Sequence, residues 1–240
     1  MALPKLNVPV YEAILPSTEK VIKYRPFLVK EEKILLTALE ADDSKALSGA
    51  VKQIVNNCVQ GELDVDKLPT FDIEYLFLRL RAKSVGEKVT IGLKPWDCSK
   101  KEGGLCENTT DVEINLEEVK VTKDKTQSSK IMLDDKIGVT MKYPDIDAIN
   151  LTGTTPETTG MNVITSCIDM IFTGEETHER DSFTDEELDE FIDSLNSQQF
   201  KLIREFFDNM PVLKHTVKYK CETCGEKKET ILQGLNSFFG

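Results

Sequence analysis

Long apolar runs and histidines are what this sequence most clearly lacks. Among 240 residues only two are histidines, and no apolar run is long enough to cross a bilayer. No P-loop, nucleophile elbow or G-x-G-x-x-G motif occurs. The first residues lack the basic and apolar blocks of a signal peptide. We therefore expect a protein that works in a cytoplasm and is not an enzyme.

Positive charge is also scarce. The chain has 30 Lys and Arg residues against 42 Asp and Glu residues, which gives a net charge of −12. A phosphate backbone or an anionic membrane would repel such a chain, so neither nucleic acid nor membrane is an expected partner. With 40% hydrophobic residues the composition is that of a folded globular protein. Its acidic charge could steer it to a basic protein.

The spacing of apolar residues predicts an α+β fold, in which helical and β-rich stretches alternate along the chain. Four regions are expected: an N-terminal helical region (1–86), a β-rich region (87–143), a second helical region (144–212), and a closing β segment (213–240) that packs on 87–122.

Capping residues sharpen the helix predictions. Helices are expected over 29–41, then from the break Asp42-Asp43-Ser44 to about Val59, and after Thr70, where the apolar residues on nearly every side indicate the most buried helix. A capping box at Thr184 and Glu187 starts another helix. Residues 144–172 are predicted to be mostly helical with a break near Thr152–Gly160, and Val21–Tyr24 a short strand. His178 is expected in an exposed acidic loop.

Cysteine pairs form the one pattern that suggests a metal. Cys221 and Cys224 form a C-x-x-C-G turn between two β-like stretches, as in a zinc knuckle. A structural zinc normally has four ligands, and Cys98 and Cys106 are the natural second pair, although their spacing is looser. The sequence therefore predicts a zinc-ribbon-like cluster of four cysteines holding one structural zinc. The alternatives are exposed thiols or a disulfide formed on oxidation.

Four other residues are candidates for partner binding. Arg25, before Pro26 and Phe27, could pair with a carboxylate of its own fold or of a partner, and the intramolecular pair is favoured. Phe238 and Phe239 place two aromatic rings near the end of the chain, where residues are usually polar. These rings either pack back on the core or dock into a partner. We take Arg25, Phe27, Phe238 and Phe239 as candidate partner-binding residues.

Three stretches resemble a known family. The segment from Leu15-Pro16-Ser17-Thr18 through Lys23-Tyr24-Arg25-Pro26-Phe27-Leu28-Val29-Lys30-Glu31-Glu32-Lys33-Ile34-Leu35-Leu36 resembles the opening motif of the T4-like phage baseplate hub assembly proteins. Similar blocks are Phe71-Asp72-Ile73-Glu74-Tyr75-Leu76-Phe77-Leu78 with Arg81-Ala82-Lys83-Ser84-Val85-Gly86-Glu87, and the closing C-x-x-C-G before Gly-Leu-x-x-Phe-Phe. The loop between Cys98 and Cys106 departs from the pattern by including Gly103-Gly104.

The resemblance implies a phage tail baseplate hub assembly protein, either a chaperone or a hub component, that binds hub or tape-measure proteins. It implies a place in the host cytoplasm during assembly, or in the baseplate of the virion. Two other hypotheses are a zinc-ribbon-like regulatory or nucleic-acid-binding module and a cell-wall hydrolase. The first needs a basic face near the cysteines, and the second needs a clustered acid/base or metal site.

Overall fold

The computed structural model describes residues 6–41, 43–94, 109–123, 127–151, 155–174 and 176–238. The fold is α+β, as predicted, with several small antiparallel sheets. The chain divides into two compact units. Unit 1 comprises Met1–Val65, Phe71–Thr122 and Val212–Gly240, and unit 2 comprises Asp66–Thr70 and Lys123–Pro211.

Three small sheets lie in unit 1. The first has the order β1-β2-β3, the second pairs β4 with β5, and the third has the order β12-β11-β6. Their strands are β1 (Tyr11–Ile14), β2 (Val21–Tyr24), β3 (Val59–Gln60), β4 (Lys88–Leu93), β5 (Thr110–Asn115), β6 (Lys120–Thr122), β11 (Val212–Lys220) and β12 (Lys227–Gln233). Alternation decides which side chains face inward, since Val89, Ile91 and Leu93 are buried and the residues between them are exposed.

The α-helices described in unit 1 are α1 (Val29–Glu40), α2 (Ser44–Cys58) and, apart from its first residue, α3 (Thr70–Ser84). Their bounds agree with the predicted ones to within a residue or two. The helix predicted to be most buried is α3, and it buries eight side chains. Phe77 of α3 is fully buried, and its ring stacks on that of Phe27 with a centroid distance of 6.5 Å.

A four-stranded antiparallel sheet of order β10-β9-β8-β7 lies in unit 2. Its strands are β7 (Lys130–Met132), β8 (Ile137–Met141), β9 (Ile168–Thr173) and β10 (Glu176–Glu179), and the helices of the unit are α4 (Ile146–Ile149), α5 (Pro156–Ser166), α6 (Asp185–Asp193) and α7 (Ser197–Asp208). The capping box predicted at Thr184 starts α6. Val139, Ile168, Leu188 and Ile203 are central members of an apolar core formed by the sheet and helices.

One helix prediction is wrong. Residues 144–172 were expected to be mostly helical, but α5 ends at Ser166 and residues 168–173 form β9. A short apolar run with Ile168 and Ile171 has little helical preference of its own, and pairing with β8 decides for the strand. His178 likewise lies in β10 rather than in a loop, with an exposed side chain.

Candidate interaction surfaces and the cysteine turn

Arg25 is bound within unit 1, as favoured from the sequence. Its Nη2 donates to Glu31 Oε1 at 2.9 Å and to the carbonyl of Asn57 at 2.9 Å, and its Nη1 donates to the carbonyl of Pro26 at 3.0 Å. These bonds join the loop before α1 to the end of α2. The role of Arg25 is thus primarily to hold its own fold, and its binding of a partner stays a prediction.

Glu31 completes this arrangement from the first turn of α1. Its side chain is fully buried, and Oε2 accepts a hydrogen bond from the Leu28 amide at 2.9 Å, which caps the helix. Burial alone would raise the pKa of Glu31. The hydrogen bonds from Arg25 and from the Leu28 amide outweigh burial, and the pKa is lowered. The carboxylate is therefore ionised at neutral pH, and both of its oxygens accept hydrogen bonds within unit 1.

Both described aromatic candidates are buried. The amide of Phe27 donates to Ser84 Oγ at 2.9 Å, and its ring lies against Phe77. Phe238 is fully buried in a 3-10 turn, Leu235–Phe238. Its ring therefore packs on the core of its own chain and is not free to dock into a partner. Phe239 lies outside the described residues.

Glu74 of α3 fastens this terminal turn. Its Oε1 accepts a hydrogen bond from the Leu235 amide at 3.2 Å. Burial raises the pKa of Glu74, and the Leu235 amide offsets only part of this effect. Glu74 therefore stabilises the terminal turn through one hydrogen bond, while burial destabilises its charged form.

The C-x-x-C-G turn connects β11 to β12 as predicted. The Cys221 amide donates to the carbonyl of Glu226 at 2.9 Å, and the Gly225 amide donates to the carbonyl of Cys221 at 2.8 Å. Gly225 has a φ of +73°, which a residue with a Cβ rarely adopts. Cys221 and Cys224 are both buried, so the interpretation as exposed thiols is wrong.

A long-range bond ties this turn to β5. The Glu222 amide donates to Thr110 Oγ1 at 3.1 Å, and Thr110 is itself buried. Cys98 and Cys106 lie outside the described residues. Among the residues that the structure does describe, no group of three or more His, Cys, Asp or Glu side chains could hold a metal ion. Two cysteines are half of a zinc ligand set.

An exposed apolar surface that the sequence analysis missed lies on the hairpin of β1 and β2. Ile14 and Val21 are cross-strand partners with exposed fractions of 56% and 60%. On the same face, Glu12 stands opposite Lys23, and β1 has β2 on one side only within the described strands. Pro9 and Pro16 flank β1 and favour an extended chain, and the sequence analysis predicted no strand there. The pair leaves apolar area in water on the edge strand of a small sheet, where a further strand could pair.

The two units define an α+β protein, and the hairpin of the first unit leaves an apolar pair exposed. Over residues 8–240, nearly the whole chain, the sequence matches the family model described as T4 bacteriophage base plate protein. The chain belongs to this family, and the resemblance found in its motifs is confirmed. No curated protein and no solved structure matches it. No described helix has the length and apolar character that a membrane span requires.

Proposed function

We propose that this protein is a baseplate hub assembly protein, either a chaperone or a hub component, that acts by binding other tail proteins and not by catalysis. The observation that carries the proposal is the family match over residues 8–240. Its place would be the host cytoplasm during assembly, or the baseplate of the finished virion.

The N-terminal hairpin supports a binding role. Ile14 and Val21 expose apolar area beside polar Glu12 and Lys23, which is how the apolar centre and polar rim of an interface are arranged. The cost of leaving this area in water is removed when a partner covers it.

Charge supports a basic partner. Residues 123–211 of unit 2 contain 19 acidic and 8 basic residues, a net charge of −11 out of −12 for the chain. Such a concentrated charge accelerates encounter with a basic surface at low salt. Hub or tape-measure proteins with basic surfaces are the partners we propose.

Tagged protein purified from infected cells tests this role. Hub or tape-measure proteins should co-purify, with a yield that falls as salt is raised. The double variant Ile14→Lys, Val21→Lys should lose them, whereas the matched control Glu12→Gln, Lys23→Gln on the same face should keep them. A purification without any baseplate protein, from cells that assemble tails normally, would refute the proposal.

We also propose that one structural zinc is held by Cys221 and Cys224 together with Cys98 and Cys106. Burial of the first pair in a glycine-closed turn supports this assignment. So does the bond from Glu222 to Thr110, since Cys106 precedes Thr110 by only four residues in the chain.

Elemental analysis of reduced protein should give close to one zinc per chain. The variant Cys221→Ser, Cys224→Ser should lose the metal, and Thr223→Ala within the same turn should retain it. Protein without zinc whose four thiols all titrate in the folded state would exclude the site.

A further inference from the structure

Unit 2 carries a groove between the edge strand β7 and helix α7. The groove has a volume of about 290 Å³, and its apolar lining comes from Ile131 and Met132 of β7 and from Leu202 and Phe206 of α7. Met132 and Leu202 are 46% and 38% exposed, while Phe206 is buried beneath them. Lys130 and Glu205 add charged groups to the lining. Gln127, Ser128 and Asn209 complete the lining, so the groove is a channel in which four apolar residues lie beside polar and charged ones.

The backbone of β7 gives this channel a direction. The Met141 amide donates to the carbonyl of Ser129 at 2.8 Å, and the Leu133 amide donates to the carbonyl of Ile137 at 2.9 Å. In an antiparallel pair alternate residues face the neighbouring strand, so Met132 directs its N–H and C=O away from β8, to the outer edge of the sheet. No described strand lies on that outer side of β7.

These outward groups select the kind of occupant. An extended segment can pair with the N–H and C=O of Met132, whereas a helix has already used its own backbone groups. In an extended segment every second side chain points to one face, so its apolar residues would enter the channel between β7 and α7. The flexible thioether of Met132 adapts to different side chains there.

Charge decides between a foreign partner and a second copy. Pairing of two copies through β7 would bring two units of net charge −11 together. A basic segment experiences attraction instead. We propose that an extended, basic segment of a partner protein, with apolar residues at alternate positions, adds to this sheet as a fifth strand beside β7. The inference rests on the proposed function and assigns a site to it.

Strand addition is tested first with defined peptides. The probes are two nonapeptides, one alternating valine with lysine and one alternating valine with glutamate, added to the full-length protein. The lysine peptide should slow hydrogen exchange of the Met132 amide at least about tenfold, and the glutamate peptide should leave it unchanged. Equal protection by both peptides, or protection by neither, would overturn the inference.

The natural occupant is tested in infected cells. A benzophenone amino acid is placed at Met132, and at Ile149 of the same unit as a control with a similar exposed fraction, 44%. The expected result is a cross-link from position 132 to a basic, extended segment of a tail protein. A cross-link from 132 to a second copy of this chain would refute the basic partner.

Two variants separate failure of the groove from failure of the function. Leu202→Lys should reduce co-purified tail protein about tenfold, and Ile149→Lys, with the same change of charge, should leave it within about twofold. If tail proteins co-purify equally with both variants, the groove is excluded and the proposed function stands. If none co-purifies even with the unaltered chain, the proposed function itself fails.

Discussion

The interiors of both units are mainly apolar, but they differ in their buried polar residues. In the part of the chain that is described, all three buried polar residues, Glu31, Asp72 and Thr110, belong to unit 1. Two of them join distant segments: Asp72 accepts from the amide of Ser17 at 3.0 Å, 55 residues away, and Thr110 accepts from the Glu222 amide, 112 residues away. The described core of unit 2 is apolar.

The charges of the two units also differ, and here unit 2 is the more polar one. Residues 123–211 carry a net charge of −11, which leaves −1 for the rest of the chain. Unit 1 consists of three separated segments, and buried polar bonds fix their mutual register. Unit 2 is nearly continuous, and local helix caps with an apolar core suffice for it. The comparison teaches that polar specificity is placed where the chain is discontinuous, while charge is placed on the unit that we propose attracts a partner.

Removing the cation of the buried pair should have the largest effect. Arg25→Met leaves the buried carboxylate of Glu31 without its main partner and should lower the free energy of unfolding by about 3 kcal/mol. Lys30→Met removes an exposed cation 3.3 Å from the same carboxylate and should cost less than about 0.5 kcal/mol. Urea denaturation measures both. Equal losses would show that burial of the pair has no special weight.

The same variant should change the response to acid. The folded pKa of Glu31 lies below its ordinary value of 4.5, so its contribution to stability is present above that pH and is lost as pH falls through the folded pKa. Arg25→Met should weaken this loss below pH 4.5. Hydrogen exchange should rise in peptides of unit 1 before those of unit 2.

Unit 2 should be sensitive to steric change instead. A Cβ added at Gly138 would overlap the ring of Phe172 and lie 2.7 Å from the carbonyl oxygen of Ile131. Gly138→Ala should cost about 2 kcal/mol, measured by urea denaturation. Gly160→Ala, within α5 and facing open space, should be neutral or stabilising. A harmless Gly138→Ala would mean that the sheet shifts freely and that its core is loosely packed.

Loss of a local cap should have a smaller effect on unit 2. Thr184 Oγ1 accepts from the Glu187 amide at 3.2 Å, and Glu187 Oε2 accepts from the Thr184 amide at 2.8 Å. Thr184→Ala should cost about 1 kcal/mol in a thermal or urea unfolding experiment. Thr37→Ala, at an exposed position in the middle of α1, is the control and should cost nothing. A cost no larger than that of the control would show that α6 is held by packing alone.

The smallest effect should have the opposite sign. Glu74→Gln keeps an acceptor for the Leu235 amide but removes a carboxylate whose pKa burial has raised. Because the folded pKa lies above the unfolded one, the favourable contribution is full below the unfolded pKa and is lost as pH rises through the folded pKa. The variant should gain less than about 1 kcal/mol at pH 7 and flatten this dependence. Destabilisation at pH 7 would show that the charge itself holds the terminal turn.

The sequence predicted the elements whose causes are local. Spacing and caps indicated α1, α2 and α3, the capping box located the start of α6, and the C-x-x-C-G pattern placed the turn between β11 and β12. Each of these elements depends on residues a few positions apart in the chain, so its cause can be recognised in the sequence itself.

Features that depend on distant segments were less accessible. The run Ile168–Thr173 has no strong preference, and its pairing with β8 makes it a strand. Burial of Asp72 depends on Ser17, and no local pattern connects the two. The β7–α7 groove joins residues about seventy positions apart, and sequence spacing gave no indication of it. The roles of the predicted partner-binding and zinc-binding residues stay predictions.

The pairing of β6 with β11 has a consequence for biosynthesis. Thr122 and Val212 are register partners, so residues 123–211 leave and re-enter unit 1 at neighbouring positions. A nascent chain emerges from the ribosome with its N-terminal part first. All of unit 2 has been translated before β11 and β12 exist. In unit 1, Thr110 and Glu74 can form their bonds to Glu222 and Leu235 only after those last residues have been made. Unit 1, whose first segment is translated earlier, is therefore the later of the two units to complete its fold.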